Sequence, residues 1–340
     1  MASWKREQVL LMSYVSESIL GDKATLRQVR GVIKLLGYER FQDDLKTPNQ
    51  TDAFFWSEQN EYKSYVGIEL YISKENDLIT VTTRTRAGRS YWDLVQQNKT
   101  IKYLRDLFGG YFTTDAGRNR YWHLDPKPPT KREAGLFLAR WIHHNALIKP
   151  KIYLDSSDLE GDISRHEPTG LDYIDNMNPR FFSNNLLIPY LVGIWGYYLK
   201  SSFIVLLKCC DNKNRIFKSV KITPIQLEGI SNGELTIEEA IGDNLSFQRP
   251  KVIAENFKLI NKSIDIYSTL RKPYRKRKRS LYDSIDSIID LRNHVVHSGL
   301  TDISLTDARL KSIINDFEIA VDRVYDRFGY CYEFTPNRDY

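Results

Sequence analysis

Near its C-terminal end the chain reads RNHVVH from Arg292 to His297, and these residue types and spacings are the ones best suited to chemistry. Arginine is a permanent cation whose planar fork matches carboxylate or phosphate, and histidine is the side chain that changes charge near neutral pH. Arg292 follows Ile288 by four positions and Ile285 by seven, which at helical spacing sets it on or beside an apolar stripe. An unpaired guanidinium there is costly, so it must find an anion or line a cleft. Two purely structural outcomes fit the same residues: a carboxylate of a neighbouring helix pairs with Arg292, and His297 meets the negative end of its own helix. Asp290, His294 and His297 lie three and four apart and share a helix face, a spacing that can hold zinc. Arg292 beside them would repel a cation, and a closed site needs ligands that the sequence does not supply, so no metal and no cofactor is expected.

The helix that must position these groups runs over 279–297. Leu281, Ile285, Ile288, Ile289, Val295 and Val296 form its expected buried stripe, with Asp283, Asp286, Asp290 and Asn293 mostly on the other side. Ser298 and Gly299 follow, and Gly299 can end the helix in a left-handed cap. Seven basic residues crowd into the nine positions ahead of it: Arg271, Lys272, Arg275, Lys276, Arg277, Lys278 and Arg279. Such a block can hold a phosphate backbone without reading sequence, with Tyr274 and Tyr282 as stacking faces for unpaired bases. A solvated loop or a protein-docking surface has the same composition.

The rest of the chain reads as α+β. Residues 8–37 suggest one or two short helices, including TLRQVRGVIKLLG, which could be half of a helix-turn-helix. SYVGIELYIS (64–73) and DLITVTTRTR (77–86) alternate like the strands of a hairpin. Helix (90–110), strand (118–124) and helix (130–147) follow. The expected organisation is an N-terminal mixed α/β domain with a small antiparallel sheet over 1–150, and an acidic connection over 151–180. An all-helical bundle over 181–330 and a tail over 331–340 complete it. Within the bundle, helices are expected at 181–209, 235–241, 250–270, 279–297 and 304–329, with an extended piece at 217–227. Arg84, Arg86, Arg89, Arg118 and Arg120, set among aromatics and glycines, suit a recognition surface or an ordinary strand-edge array.

The 340 residues are 41% hydrophobic and 27% charged, which excludes disordered and fibrous classes. Residues 1–150 hold 23 Lys/Arg against 17 Asp/Glu, 151–250 hold 10 against 13, and 251–340 hold 16 against 13, so the ends are basic and the middle acidic. A basic patch rather than a wholly cationic surface follows, which favours phosphate-bearing partners. Three cysteines, Cys209, Cys210 and Cys331, without C-x-x-C spacing fit a reducing cytoplasm. The N-terminus has no continuous apolar core with a cleavage site and reads as mature sequence. Leu186–Leu207 carries one charge and is long enough to cross a bilayer, but its interruptions and flanks suit a core helix, so no membrane is expected. No Walker or dinucleotide-binding glycine pattern is present.

The run Arg292, Asn293, His294, Val295, Val296, His297, with long helices upstream and downstream, resembles the R-x(4–6)-H motif of the HEPN superfamily over about residues 180–330. The resemblance implies a HEPN-like bundle and a metal-independent endoribonuclease that leaves a 2′,3′-cyclic phosphate and a 5′-hydroxyl. It implies His297 as general acid/base, Arg292 as phosphate stabiliser, Asn293 as an orienting hydrogen-bonder and His294 as an auxiliary group. Arg275, Lys276, Arg277, Lys278 and Arg279 would bind the RNA. A single motif implies a homodimer with a composite active site. The same resemblance suggests a toxin-like nuclease of bacterial antiviral defence, abortive infection or a toxin-antitoxin pair, restrained by a regulatory partner or released by a phage-derived trigger. The rival readings are a non-catalytic HEPN-like module that binds RNA, nucleotide or protein, and a DNA-binding regulator that uses residues 20–40.

Overall fold

The computed structural model describes residues 14–41, 49–86, 88–157, 168–175, 177–211, 213–274 and 277–338. The chain is α+β and divides into two compact units, Met1–Ala134 with Arg338–Tyr340, and Gly135–Asn337. This division falls in the first turn of α3 (Lys131–Ser157), upstream of the connection expected at 151–180. The helix expected to stop at 147 instead continues through Pro150, because Leu147 and Leu154, two turns apart on one face, are both buried.

In the first unit, β1 (Tyr14–Ile19), β2 (Glu39–Phe41), β3 (Gln50–Trp56), β4 (Ile68–Glu75), β5 (Leu78–Thr85), β6 (Tyr111–Thr114) and β7 (Gly117–Arg118) form one seven-stranded antiparallel sheet in the order β2-β3-β4-β5-β1-β6-β7. The anticipated hairpin is β4–β5. Alternation turns Ile68, Leu70, Ile72, Ile79 and Val81 inward, and Asn76 and Asp77, at φ 46° and 65°, make a two-residue link whose twist matches the strands. α1 (Leu26–Leu35) and α2 (Tyr91–Phe108) bring Val29, Ile33 and Leu104 into the same core. Gly110 lets α2 turn back into β6, since a Cβ there would lie 2.0 Å from the carbonyl oxygen of Ile19.

Three expectations change here. Residues 14–19 are strand rather than helix, because they pair with β5 and β6 while their inward positions are Ser16 and Ser18. Ser16 reaches Thr83 through a 2.5 Å hydrogen bond between hydroxyls, so no apolar alternation announces the strand. Of 118–124 only Arg118 is in a strand, while Trp122 is buried and Asn98 bonds its backbone. α1 lies between β1 and β2, with Val29 and Ile33 fully buried and Arg30 bound to Asp52, so it is not half of a helix-turn-helix. The N-terminal arginines are engaged locally: Arg86 pairs with Glu69, Arg89 covers the Tyr14 ring at 3.4 Å and Arg118 covers Tyr111 at 3.9 Å.

The second unit is helical: α3, α4 (Asp172–Asp175), α5 (Pro179–Lys208), α6 (Asn214–Ser219), α7 (Pro224–Ser231), α8 (Ile237–Asp243), α9 (Pro250–Ile260), α10 (Ile266–Arg271), α11 (Leu281–Ser298) and α12 (Asp307–Tyr332). The central α5 is long and apolar enough to cross a membrane, and 56% of its most apolar window is buried. Phe181, Ile188, Trp195, Tyr198 and Phe203 form its buried side, packed on α8, α9, α11 and α12, while Phe182, Leu186, Gly193 and Tyr197 make an exposed stripe. Of the extended piece expected at 217–227, 217–219 end α6 and 224–227 begin α7, while Val220 and Thr223 between them are extended; the capping box of Thr223 and Gln226 around Pro224 is a strong helix start. The helix expected over 250–270 breaks after Ile260, where Asn261 accepts from Ser263 and Asp265 caps α10. His143 of α3 is 3% exposed, between Arg140 and Tyr198. Burial pushes its imidazole down to about 3, and its Nε2 has no hydrogen-bond partner among the described residues.

Candidate functional site

The site is built on α11. Ser280 caps its first turn by accepting from the Asp283 amide, and Gly299, at φ 68°, ends it in the expected left-handed conformation. Its stripe of Leu281, Ile285, Ile288 and Ile289 is buried against α5, α9, α10 and α12. The stripe stops there: Val295 is half-buried and Val296 is 47% exposed, contrary to the sequence expectation. The last two turns of α11 therefore stand clear of the core of their own unit.

Arg292 keeps the azimuth of the buried stripe and is half-buried. Among the described residues it has no carboxylate partner. Its Nη1 donates instead to Oδ1 of the adjoining Asn293 at 3.0 Å. His294 and His297 are exposed, and the hydroxyl of Ser298 donates to the His294 carbonyl at 2.6 Å. Arg292 and His297 are five positions apart, which places them about 140° apart around the axis and roughly 7.5 Å apart along it. One copy of α11 thus presents its guanidinium and its second imidazole in divergent directions. Asp290, the carboxylate of the zinc pattern, is bound by Arg249, which also holds Asp286. No group of three or more His, Cys, Asp or Glu side chains fit to hold a metal ion occurs among the described residues.

The loop that follows α11 is fixed from α5. Asn185 accepts from the Asp302 amide at 2.9 Å and donates to its carbonyl at 3.0 Å. Asn184 donates to the Leu305 carbonyl and to Asp307, and Arg180 grips Asp307 with Nε and Nη2 at 2.8 to 3.2 Å. These residues position the end of the motif helix, yet in the sequence the Asn184, Asn185 pair reads only as an interruption of an apolar run. The signal was available, because amides inside an apolar helix require partners.

The basic block divides in two. Arg275 and Lys276 lie outside the described residues. Arg271 packs on the rings of Tyr267 and Tyr282, 4.7 Å from each centroid, and Arg277 binds Asp316 and donates to Ser312. Arg323 donates to the carbonyls of Lys272 and Pro273, which pins the block to α12. Lys278 and Arg279 are exposed. Arg279 donates to the Asp283 carbonyl at 2.9 Å, and no carboxylate lies within ion-pair distance of either among the described residues. Tyr274 and Tyr282 do not present open stacking faces: Arg277 and Arg323 lie on the first ring, and Arg271 with Tyr267 on the second.

The arrangement thus offers one guanidinium and two imidazoles at an open helix end, beside a loop carrying uncompensated positive charge. Such groups have the donor geometry to bind a phosphate and ring nitrogens that can give or accept a proton. No family model matches the chain, and neither does any curated protein or solved structure.

Proposed function

We propose that the chain is a metal-independent endoribonuclease of the HEPN kind that works as a dimer. The observation that carries this reading is the end of α11, where Arg292 approaches the buried stripe with no carboxylate partner among the described residues and His297 stands exposed, five residues on. A structural arginine would be expected to hold a carboxylate, as Arg180 holds Asp307.

In this mechanism a histidine takes the proton of the RNA 2′-hydroxyl as its oxygen attacks the adjacent phosphorus. The bond to the 5′-oxygen breaks, and that oxygen receives a proton from a second, protonated histidine. The products are a 2′,3′-cyclic phosphate and a 5′-hydroxyl. Arg292 stabilises the charge that gathers on the non-bridging oxygens, and Asn293, already bonded to it, holds the fork in place. The divergence of Arg292 and His297 within one chain supports a site completed by a second copy, which would pair Arg292 of one protomer with His297 of its partner. Exposed Val296 and Leu300 beside the motif supply apolar area for such a contact. Lys278 and Arg279, which face no carboxylate among the described residues, would hold flanking phosphates. A role as a toxin-like effector in bacterial antiviral defence or a toxin-antitoxin pair rests on the motif resemblance.

The second reading is a non-catalytic module that binds RNA, nucleotide or a protein. It is favoured by one observation: no partner fixes the tautomer of His297 among the described residues. The two separate on incubation of purified protein with total RNA in excess EDTA. Cleavage by the wild type that falls about 10²- to 10⁴-fold in His297→Ala, and clearly in Arg292→Ala, supports the nuclease. Intact RNA with retained binding supports the module.

A further inference from the structure

An open cleft of about 400 Å³ lies between α11, α12 and the loop at 277–279, within the range of ligand-sized cavities. On α11 it is lined by Ser284, Ser287, Ile288 and Leu291. None of Arg292, Asn293, His294 and His297 lines it: Arg292 lies one turn beyond Ile288 and about 40° around the helix from it, and His297 about 180° around, so the cleft borders the Arg292 side and faces away from His297. Four cations border it, Arg277, Lys278, Arg279 and Arg309, against one carboxylate, Asp316.

The pairing within the cleft shows which charge is left over. Asp316, whose side chain is 4% exposed, accepts from Arg277 and from the Ser284 hydroxyl, which neutralises one guanidinium. Arg309 pairs with Asp302 at 2.9 Å through Nη1 alone, and a guanidinium has further donors in a fixed fork. Lys278 and Arg279 face no carboxylate among the described residues, so two positive charges remain. Ile288 and Ile313, 5% and 6% exposed, provide an apolar wall beside these donors. An anion of one or two charges attached to a group with an apolar face fits both halves of the cleft.

We propose that this cleft is a phosphate-recognition site for one nucleotide unit, distinct from the cleavage motif. The phosphate sits on Lys278, Arg279 and Arg309, and the sugar or base lies over Ile288, Leu291 and Ile313. The assignment is independent of whether the chain cleaves RNA. The phosphate is either a diester in a polynucleotide or the monoester of a free nucleotide, and the chemistry that recognises it is the same.

The test is fluorescence anisotropy of a short labelled single-stranded RNA in EDTA, on full-length His297→Ala protein so that the probe persists. AMP and inorganic phosphate serve as competitors. Adding Lys278→Ala with Arg279→Ala should weaken binding roughly tenfold or more and flatten the logarithmic salt dependence by about 0.7 for each phosphate no longer neutralised. Asp316→Asn removes the carboxylate that offsets Arg277 and should tighten binding several-fold, a gain that misfolding cannot produce. Displacement of the probe by AMP or phosphate assigns the cleft to a free monoester, and resistance to both assigns it to a backbone diester. Unchanged affinity in either variant, or no binding of any probe by the parent protein, overturns the proposal. Cleavage by the wild type is read separately, so failure here leaves the nuclease reading standing, and the reverse also holds.

Discussion

Two helices of the second unit carry polar residues among apolar ones, and they treat them in opposite ways. At the start of α5, Arg180, Asn184 and Asn185 are turned into the protein and bound to Asp302, Leu305 and Asp307. At the end of α11, the side chains of Arg292 and Asn293 bond to each other, and those of His294 and His297 to nothing among the described residues. The first group is consumed by structure, since it closes the loop after α11. The second retains donors and proton capacity that no fold requirement accounts for. Polar residues within an apolar pattern are therefore not equivalent evidence of function, and what separates them is whether the protein itself completes their bonding.

The contrast fails if the two groups respond alike to mutation. The largest effect expected is on chemistry: His297→Ala should lower metal-free RNA cleavage by about 10²- to 10⁴-fold. Because the side chain is exposed and unpartnered among the described residues, thermal unfolding should remain at the wild-type temperature. A comparable loss of melting temperature in this variant would place His297 with the structural group.

Next comes Asp307→Ala, which leaves the Arg180 guanidinium without its carboxylate in a pair whose side chains are 14% and 13% exposed. Loss of one partner of such a pair costs about 3–5 kcal/mol, discounted here for the residual exposure to the lower end. Denaturant unfolding should show it as a fall in midpoint with unchanged slope. Arg292→Ala should stay within about 0.5 kcal/mol by the same measurement, as for a surface substitution.

A pH titration of stability sharpens the picture at a third polar site. Burial holds the His143 imidazole at about 3 in the fold, against 6.5 when exposed. Between those values the unfolded chain binds the extra proton, so His143 favours the fold above pH 6.5 and this contribution is lost as pH falls towards 3. Acidification should weaken the fold by up to about 1.4 kcal/mol per pH unit over that interval, and His143→Leu should flatten this part of the profile. A profile identical to wild type would show that the imidazole is solvated.

The sequence pattern announces the elements whose signals are local. The β4–β5 hairpin, α2, α5, α11 and α12 follow from alternation, helical period and caps written in neighbouring residues. β1 is hidden because its inward positions are Ser16 and Ser18, the first bonded to distant Thr83, and β3 because buried Asp52, held by Arg30 and Arg40, stands beside buried Ala53 and Phe54 and breaks the alternation. For the site, spacing correctly sets Arg292 on the azimuth of the stripe and Gly299 at the cap. It overextends the stripe to Val295 and Val296, because periodicity does not say where the neighbouring helices end. The cleft with Arg309 and Asp316 joins residues of α11, α12 and the loop between α10 and α11, so no local pattern marks it.

The smallest effect is the most discriminating. Asn293→Ala removes the only hydrogen bond that the Arg292 side chain makes among the described residues, an amide to guanidinium link of 3.0 Å. Both groups are half-buried rather than sealed, so water can replace the lost acceptor, and stability should change by no more than about 0.5 kcal/mol. If Arg292 acts on phosphate, the freed fork should still bind RNA but with less fixed geometry, so that kcat falls severalfold while KM moves little. A melting temperature that drops as far as in Asp307→Ala would mean that Asn293 completes a structural role for Arg292. The two helices would then be using their polar residues in the same way.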